Sequence, residues 1–411
     1  MGSDNTRSVI ELGDTYIKCL IFRINDDNSS EILSTSVIQS EGFHNGVVVN
    51  LTKASKAIRS CVSAAEKQAK AFIKKINVVL EQTEFLCTKF SKHRKINGAK
   101  IHKNDVEFLL KEAKRHVTHN DYTQSIIHIF NHNYVVDGKI FIEEPIDIYA
   151  DYLSHEITFI TMPKNNVKNI NQAFIDCDIE VERFISCTFA LAIKLLNDNE
   201  LRLGSALIDV GFEKTSLGLF RNLALVHSMT FPIGINHITK DISKVCSLSL
   251  EESENIRNAI DLLFENGNDL FDEKDNLKEI YFKTSGYRKI SKALILNIIK
   301  ARLEEIFEMI KKQMIITGSN SIIETNLFLV GDGSNLSNLE KYSSNFFGSN
   351  VKKLSKNYKK ESERKKDEEF AACLGALHVI KDGWETEAIP ESINKNNQKV
   401  SFFDKIVGIK L

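Results

Sequence analysis

Proline is scarce here, four in 411 residues, beside abundant Lys, Asn and Ile. That bias fits an AT-rich coding sequence and carries no mechanism. A cysteine framework is also missing. The seven cysteines (Cys19, Cys61, Cys87, Cys177, Cys187, Cys246, Cys373) are odd in number, scattered, and form no CxxC pair. This excludes a disulfide scaffold or a zinc-ribbon site and implies reduced thiols in a cytosolic compartment. Charge of one sign is lacking too: 54 Lys+Arg against 55 Asp+Glu leave a net charge of -1. Bulk charge therefore points neither to nucleic acid nor to an acidic substrate. The start, M-G-S-D-N-T-R, has no apolar h-region, and no run of 18 apolar residues occurs. Neither export nor a membrane span is expected.

What is present is core-forming sequence, 42% hydrophobic and 27% charged, enough for two or more domains. Three glycine-bearing stretches stand out. Ser8 to Phe22 (S-V-I-E-L-G-D-T-Y-I-K-C-L-I-F) brings Glu11 and Gly13 to a turn between two apolar strands. Ala206 to Phe220 (A-L-I-D-V-G-F-E-K-T-S-L-G-L-F) does the same with Asp209 and Gly211. Asn326 to Leu336 (N-L-F-L-V-G-D-G-S-N-L) reads as a buried strand ending in a glycine turn. Glycine at such turns lets the backbone N–H groups approach an anion closely.

Between these stretches the pattern alternates. Helical spacing covers Leu51 to Ala71, the segment starting at Asn104 or Asp105, Val167 to Phe174, Phe184 to Leu196, Leu250 to Phe264, Ile290 to Met314 and Glu369 to Ile380. Strands are expected at Ile76–Leu80, Ser125–Tyr134, Lys139–Ile142 and His155–Thr161. Lys89 to Lys103 reads as basic and turn-rich, and residues 83–163 as a small inserted α+β block. Gly234 ends a strand and opens a helix. Lys352 to Glu369 is a charge run, read as a solvated loop and helix start. Residues 383–400 read as a flexible linker.

Two strand–acid–x–Gly–strand hairpins followed by a strand–GxG–Ser turn resemble the actin/Hsp70/sugar-kinase (ribonuclease H-like) ATPase fold, an α/β architecture of two lobes. The stretch P-I-G-I-N-H-I-T-K-D-I from Pro232, the segment Leu203 to Val210, and F-A-A-C-L-G-A-L near the end narrow this. With the insert they resemble FtsA, a family of bacterial actin-like cell-division proteins. In that family the insert is subdomain 1C. The resemblance implies domain 1A at 1–82, 164–203 and 351–382, domain 1C at 83–163, domain 2A at 204–230 and 301–350, and domain 2B at 231–300. It also implies a function. Such proteins bind ATP, polymerise on the inner face of the cytoplasmic membrane at the division site, tether filaments of the tubulin-like FtsZ there, and recruit later division proteins, in this reading through 1C.

The same resemblance assigns the site. Asp209 would order Mg²⁺ through water, with Glu11 as a second acid. Gly13, Asp14, Thr15, Gly211, Lys214, Thr215 and Gly234 would face the phosphates. Glu254, Arg257, Gly331, Gly333 and Ser334 would face the adenosine, although Glu254 and Arg257 read equally well as a solvated pair. Departures fall on the phosphate side, where Asp14, Phe212 and Glu213 replace a hydroxyl and two glycines of the family pattern. A carboxylate ~4 Å from a phosphate costs about 4 kcal/mol at an effective dielectric of ~20. Little or no ATP hydrolysis is expected. An ATP-dependent small-molecule kinase of the same fold is the competing reading, and the degraded loops count against it.

For partners, Arg302 and Glu305 resemble a family R-x-x-E pair that grips the FtsZ tail, with Arg288 and Lys289 just upstream. At 100° per residue, Phe402, Phe403, Ile406, Val407, Ile409 and Leu411 form one apolar arc in residues 401–411. This predicts a short amphipathic membrane-targeting helix.

Overall fold

The computed structural model describes residues 5–263, 270–282, 289–318, 326–348, 351–354 and 367–388. They form two compact units: residues 5–204, 218–229 and 367–388, and residues 205–217 with the described part of 230–355.

The first unit opens with a meander, β1 (Thr6–Leu12), β2 (Tyr16–Ile24) and β3 (Ser30–Gln39). A two-residue pair, β4 (Phe43–His44) and β5 (Val47–Val48), leads to α1 (Leu51–Ala69). Asn50 caps α1, its side chain accepting the Lys53 N–H. β6 (Lys75–Leu80) then lies parallel to β1. Val9, Ile10, Leu20, Phe22, Ile58, Val62 and Val78 are fully buried in this core.

The insert is β7 (Leu86–Lys100), α2 (Lys103–Asn120), β8 (Gln124–Val136), β9 (Lys139–Phe141) and β10 (Tyr149–Pro163), with sheet order β7-β10-β8-β9. Its apolar side chains gather beneath α2: Ile96, Val106, Leu109, Tyr134 and Leu153 in one cluster, Leu110, Ile129, Ile157 and Phe159 in another. The basic stretch expected to be turn-rich is the strand β7. As a sheet edge it carries Lys89, Lys95 and Lys100 toward water, which is how edge strands discourage further pairing, and so it imitates loop composition.

After α3 (Lys164–Ile175) comes β11 (Glu180–Ser186), parallel to β6, and then α4 (Cys187–Leu195) and α5 (Asp198–Leu203). Phe184 and Ile185, expected in a helix, are the buried end of β11. The helix starts only at Cys187, where the Ser186 hydroxyl accepts the Phe189 N–H.

The second fold repeat is β12 (Ser205–Val210), β13 (Thr215–Arg221), β14 (Ala224–Phe231), α6 (Ile235–Cys246), α7 (Leu250–Ala259), α8 (Lys292–Ile316), β15 (Leu327–Val330), α9 (Leu339–Phe347) and β16 (Val351–Lys353). α7 ends at Ala259, short of the expected Phe264. The strand order β14-β13-β12-β15-β16 repeats β3-β2-β1-β6-β11 of the first sheet. In each, a three-strand meander is extended by parallel strands that follow crossover helices. This is the actin-like α/β fold the hairpins predicted. α8 buries Ile295, Ile299, Leu303, Ile306, Ile310 and Met314 along one stripe. The last described helix is α10 (Ala371–Asp382).

The beginning of the expected flexible linker is not loose. Glu387 is 3% exposed and Ala388 0%, because both are built into the insert. The rest of that linker, and the apolar arc of Phe402, Phe403, Ile406, Val407, Ile409 and Leu411, lie outside the described residues.

Candidate functional site

Both hairpin turns close the same way. The Gly13 N–H donates to the Tyr16 carbonyl at 3.1 Å, and the Gly211 N–H to the Lys214 carbonyl at 3.0 Å. The two acid–x–Gly stretches are thus copies of one local structure.

At the first turn, cross-strand register sets Glu11 opposite Lys18. The Lys18 ammonium lies 3.2 Å from Glu11 Oε1 and 3.3 Å from Oε2. Burial works to lower the Lys18 pKa, but Glu11, together with Cys373 and Cys187, outweighs it and the pKa ends raised, so the ammonium stays charged. Asp14 is tied into the neighbouring loop, its Oδ1 accepting the Gly46 N–H at 3.1 Å. The Gln82 amide in turn donates to the Gly46 carbonyl at 2.6 Å. The Thr15 carbonyl accepts from the Ser40 N–H.

At the second turn the start of α6 is committed to the hairpin. The Ile235 N–H donates to the Gly211 carbonyl at 2.9 Å and the Asn236 N–H to the Phe212 carbonyl at 2.8 Å. Two of the donors a helix N-terminus could offer an anion are therefore taken. Glu213 is also held: the Asn236 amide donates to it at 2.6 Å and Lys240 pairs with it at 3.1 Å. Gly234 is the N-cap of α6, its N–H donating to His237 Nδ1, and the Thr215 hydroxyl donates to the Ile233 carbonyl. Phe212 and Lys214 are half-buried on the same turn.

The third stretch meets the second directly. Gly331 has φ of 85°, and a Cβ there would collide with Asp209 Oδ1. Gly333 packs against the Val210 side chain, and the Ser334 hydroxyl donates to the Gly331 carbonyl at 2.7 Å. Asp209 therefore sits against the glycine turn. Nearby in sequence, α6 and α7 are joined by Arg257, which donates to Thr239 Oγ1 at 2.7 Å and to Glu254 Oε1 at 3.1 Å. With one end of the pair buried and bonded to α6, Glu254 and Arg257 are not the freely solvated pair their spacing also allowed.

The second unit thus gathers Asp209, Gly211, Lys214, Thr215, Gly234, Glu254, Arg257, Gly331, Gly333 and Ser334. The first unit holds Glu11, Gly13, Asp14 and Thr15. Among the described residues, no group of three or more His, Cys, Asp or Glu side chains could hold a metal directly. Lys18 and Lys240 escaped sequence reading. Lys18 was recoverable, because an antiparallel turn centred past Gly13 sets it opposite Glu11. Lys240 was recoverable only once α6 was known to abut the hairpin.

Arg302 is engaged within the chain. Its Nε and Nη2 bind Asp241 at 2.7 and 3.0 Å, and Nη1 meets Glu305 at 2.5 Å. Lys289 is exposed, and Arg288 lies outside the described residues.

Comparison with known proteins agrees with this fold. The family model "Cell division protein FtsA" matches residues 206–375, and the model "SHS2 domain inserted in FTSA" matches residues 85–161. Among curated proteins, "Cell division protein FtsA" of Agrobacterium fabrum is 25% identical over 361 residues, covering 84% of this chain and 80% of its own length. The protein of the same description from Neisseria meningitidis is 24% identical over 374 residues, covering 90% and 89%. That of Buchnera aphidicola subsp. Schizaphis graminum is 23% identical over 417 residues, covering 98% and 96%. Among solved structures, the PilM-PilN type IV pilus biogenesis complex aligns with TM-score 0.63 at 13% identity, covering 91% of this chain and 98% of that one. MreB 5 of Spiroplasma citri bound to AMPPNP aligns with TM-score 0.50 at 14% identity, covering 92% and 97%. These structural likenesses carry the fold.

Proposed function

The chain belongs to the FtsA family of cell-division proteins, and on that premise we propose that it is a membrane-bound, actin-like tether for FtsZ filaments. The observation that carries this is an FtsA-type insert, matched over residues 85–161, lodged in a chain with duplicated actin-like hairpins. In this reading the chain polymerises on the cytoplasmic face of the membrane at the division site. Domain 2B grips the FtsZ tail, the insert receives later division proteins, and residues 401–411 attach to lipid.

ATP fits the adenosine side better than the phosphate side. The Gly331–Gly333–Ser334 turn, Arg257 and Glu254 would hold the nucleoside, and Asp209 would order Mg²⁺ through water. On the phosphate side, Gly13, Asp14, Thr15, Gly211, Lys214, Thr215 and Gly234 would line the turns. There Glu213 is held by Asn236 and Lys240, and the first N–H groups of α6 already have acceptors. Binding with little or no turnover follows. The test is titration of ATP and of an FtsZ C-terminal tail peptide into the full-length protein, with phosphate release measured in parallel. Saturable binding of both with very slow release supports the reading. Fast turnover with phosphoryl transfer to a small molecule would favour a kinase instead.

A further inference from the structure

The segment after α10 runs back over the first unit. Trp384, the chain's one tryptophan, meets Phe189 edge-on with ring centroids 6.1 Å apart. Its indole N–H donates to the Leu223 carbonyl at 2.6 Å, and the Thr386 hydroxyl donates to the same oxygen at 3.0 Å. Asn222 and Leu223 form the tip joining β13 to β14, with φ of 51° and 63°. A leucine at positive φ is strained and persists only where its surroundings hold it. Here they do: the two N–H groups donate to the Arg202 and Leu201 carbonyls, and the Asn222 amide donates to Asn133 of the insert.

The segment then joins the insert's sheet. The Asn131 N–H donates to the Thr386 carbonyl and the Ala388 N–H to the Ile129 carbonyl, both at 2.8 Å, with Phe130 facing Glu387 in antiparallel register. Ala388 is buried with Leu110, Ala113, Ile129, Ile157 and Phe159 in the insert's own core.

Glu387 ties the insert to the central sheet. Its carboxylate meets His128 Nδ1 of β8 and the Arg183 guanidinium of β11. The Ser186 N–H donates to His128 Nε2 at 2.9 Å, so Nε2 is the acceptor and Nδ1 carries the proton given to Glu387. Burial alone would raise the Glu387 pKa, but Arg183 and His128 hold it down to about 2. One carboxylate is thus the shared partner of a β8 imidazole and a β11 guanidinium, adding to the direct Ser186–His128 bond, and its loss would leave both side chains without it.

We propose that residues 384–388 are a latch: they add a strand to the insert's sheet and clamp the insert to β11 and to the β13–β14 tip. Closed, the latch holds the insert in place; released, it frees the insert while the central sheet stays folded. Any event that draws the chain from Trp384 onward away from β8 therefore mobilises the insert.

The test is hydrogen exchange on the full chain, read by peptide, for the parent protein, Ala388→Pro and Glu387→Gln. Ala388→Pro removes one backbone bond of the added strand without touching the buried charges. Glu387→Gln keeps an acceptor but removes the charge. Both are expected to speed exchange at least tenfold in residues 124–136 and 149–163 and to shift Trp384 emission to the red. β1, β2 and β6 should keep the parent rates. Unchanged exchange in the insert would overturn the proposal. So would equal acceleration everywhere, or failure of both variants to fold, since each makes the segment an inseparable part of the whole fold.

Discussion

Lys18 and Glu11 face each other across the first hairpin, 3.2 Å apart, with side chains 20% and 14% exposed. Removing either leaves the other charge partly buried without its partner, which costs more than removing both. In urea unfolding, Lys18→Met and Glu11→Gln should each destabilise the protein. The double variant should be less destabilised than their sum, with a coupling of about 1–3 kcal/mol. Strict additivity would show that the pair does not organise the turn.

Gly331→Ala should damage both stability and nucleotide affinity. The new Cβ strikes Asp209 Oδ1 and the residue keeps a left-handed φ. Strain of this kind costs on the order of 1–3 kcal/mol. A thermal melt and an ATP titration check it; parent-like affinity would place Asp209 outside the nucleotide site.

Phe212→Gly combined with Glu213→Gly should tighten ATP binding at least tenfold. The change removes a ring and a carboxylate from the turn and frees Lys240 and Asn236 from Glu213. Calorimetric titration reads the result, and unchanged or weaker affinity would contradict the account of the phosphate side.

His155→Phe should stabilise the insert. His155 is fully buried, stacks on Tyr134 at 4.3 Å, and among the described residues neither ring nitrogen has a hydrogen-bond partner. Burial pushes its pKa down to about 3. A folded-state pKa below the unfolded value means this group's contribution is present above about pH 6.5. It is lost as pH falls toward about 3, by up to about 1.4 kcal/mol per unit. His155→Phe should therefore raise the melting temperature and flatten its decline between about pH 6.5 and 3. Equal slopes for parent and variant would rule this out.

Arg302→Glu should weaken binding of an FtsZ tail peptide and also lower the melting temperature. The guanidinium holds Asp241 with two bonds, so reversal places two carboxylates together. Arg302→Lys, which keeps the charge but not the fork, should recover part of the stability. Full peptide affinity in Arg302→Glu would remove Arg302 from the interface.

Sequence patterns revealed the two hairpins and the glycine turn because each rests on local chemistry, a glycine at a tight turn beside an apolar strand, and the insert because its helix start and strand alternation are local too. They concealed β7, whose edge position makes a strand look like a loop, and the end of β11, whose apolar run continues into α4. The commitments of Asp14, Glu213 and Arg302 were invisible because Gly46, Lys240 and Asp241 reach them only through tertiary packing. Glu387 was hidden for the same reason. A polar stretch reads as a linker until a half-buried arginine and a buried histidine, far away in sequence, give its carboxylate a place.

In the function proposed above, this chain carries FtsZ to a lipid surface. Full-length protein, FtsZ and vesicles of anionic lipid, sedimented together with ATP, test it most directly. FtsZ is expected in the pellet only when this chain is present, and to return to the supernatant when the chain is cut after Lys399. FtsZ remaining in the supernatant while this chain pellets with the vesicles would contradict the account.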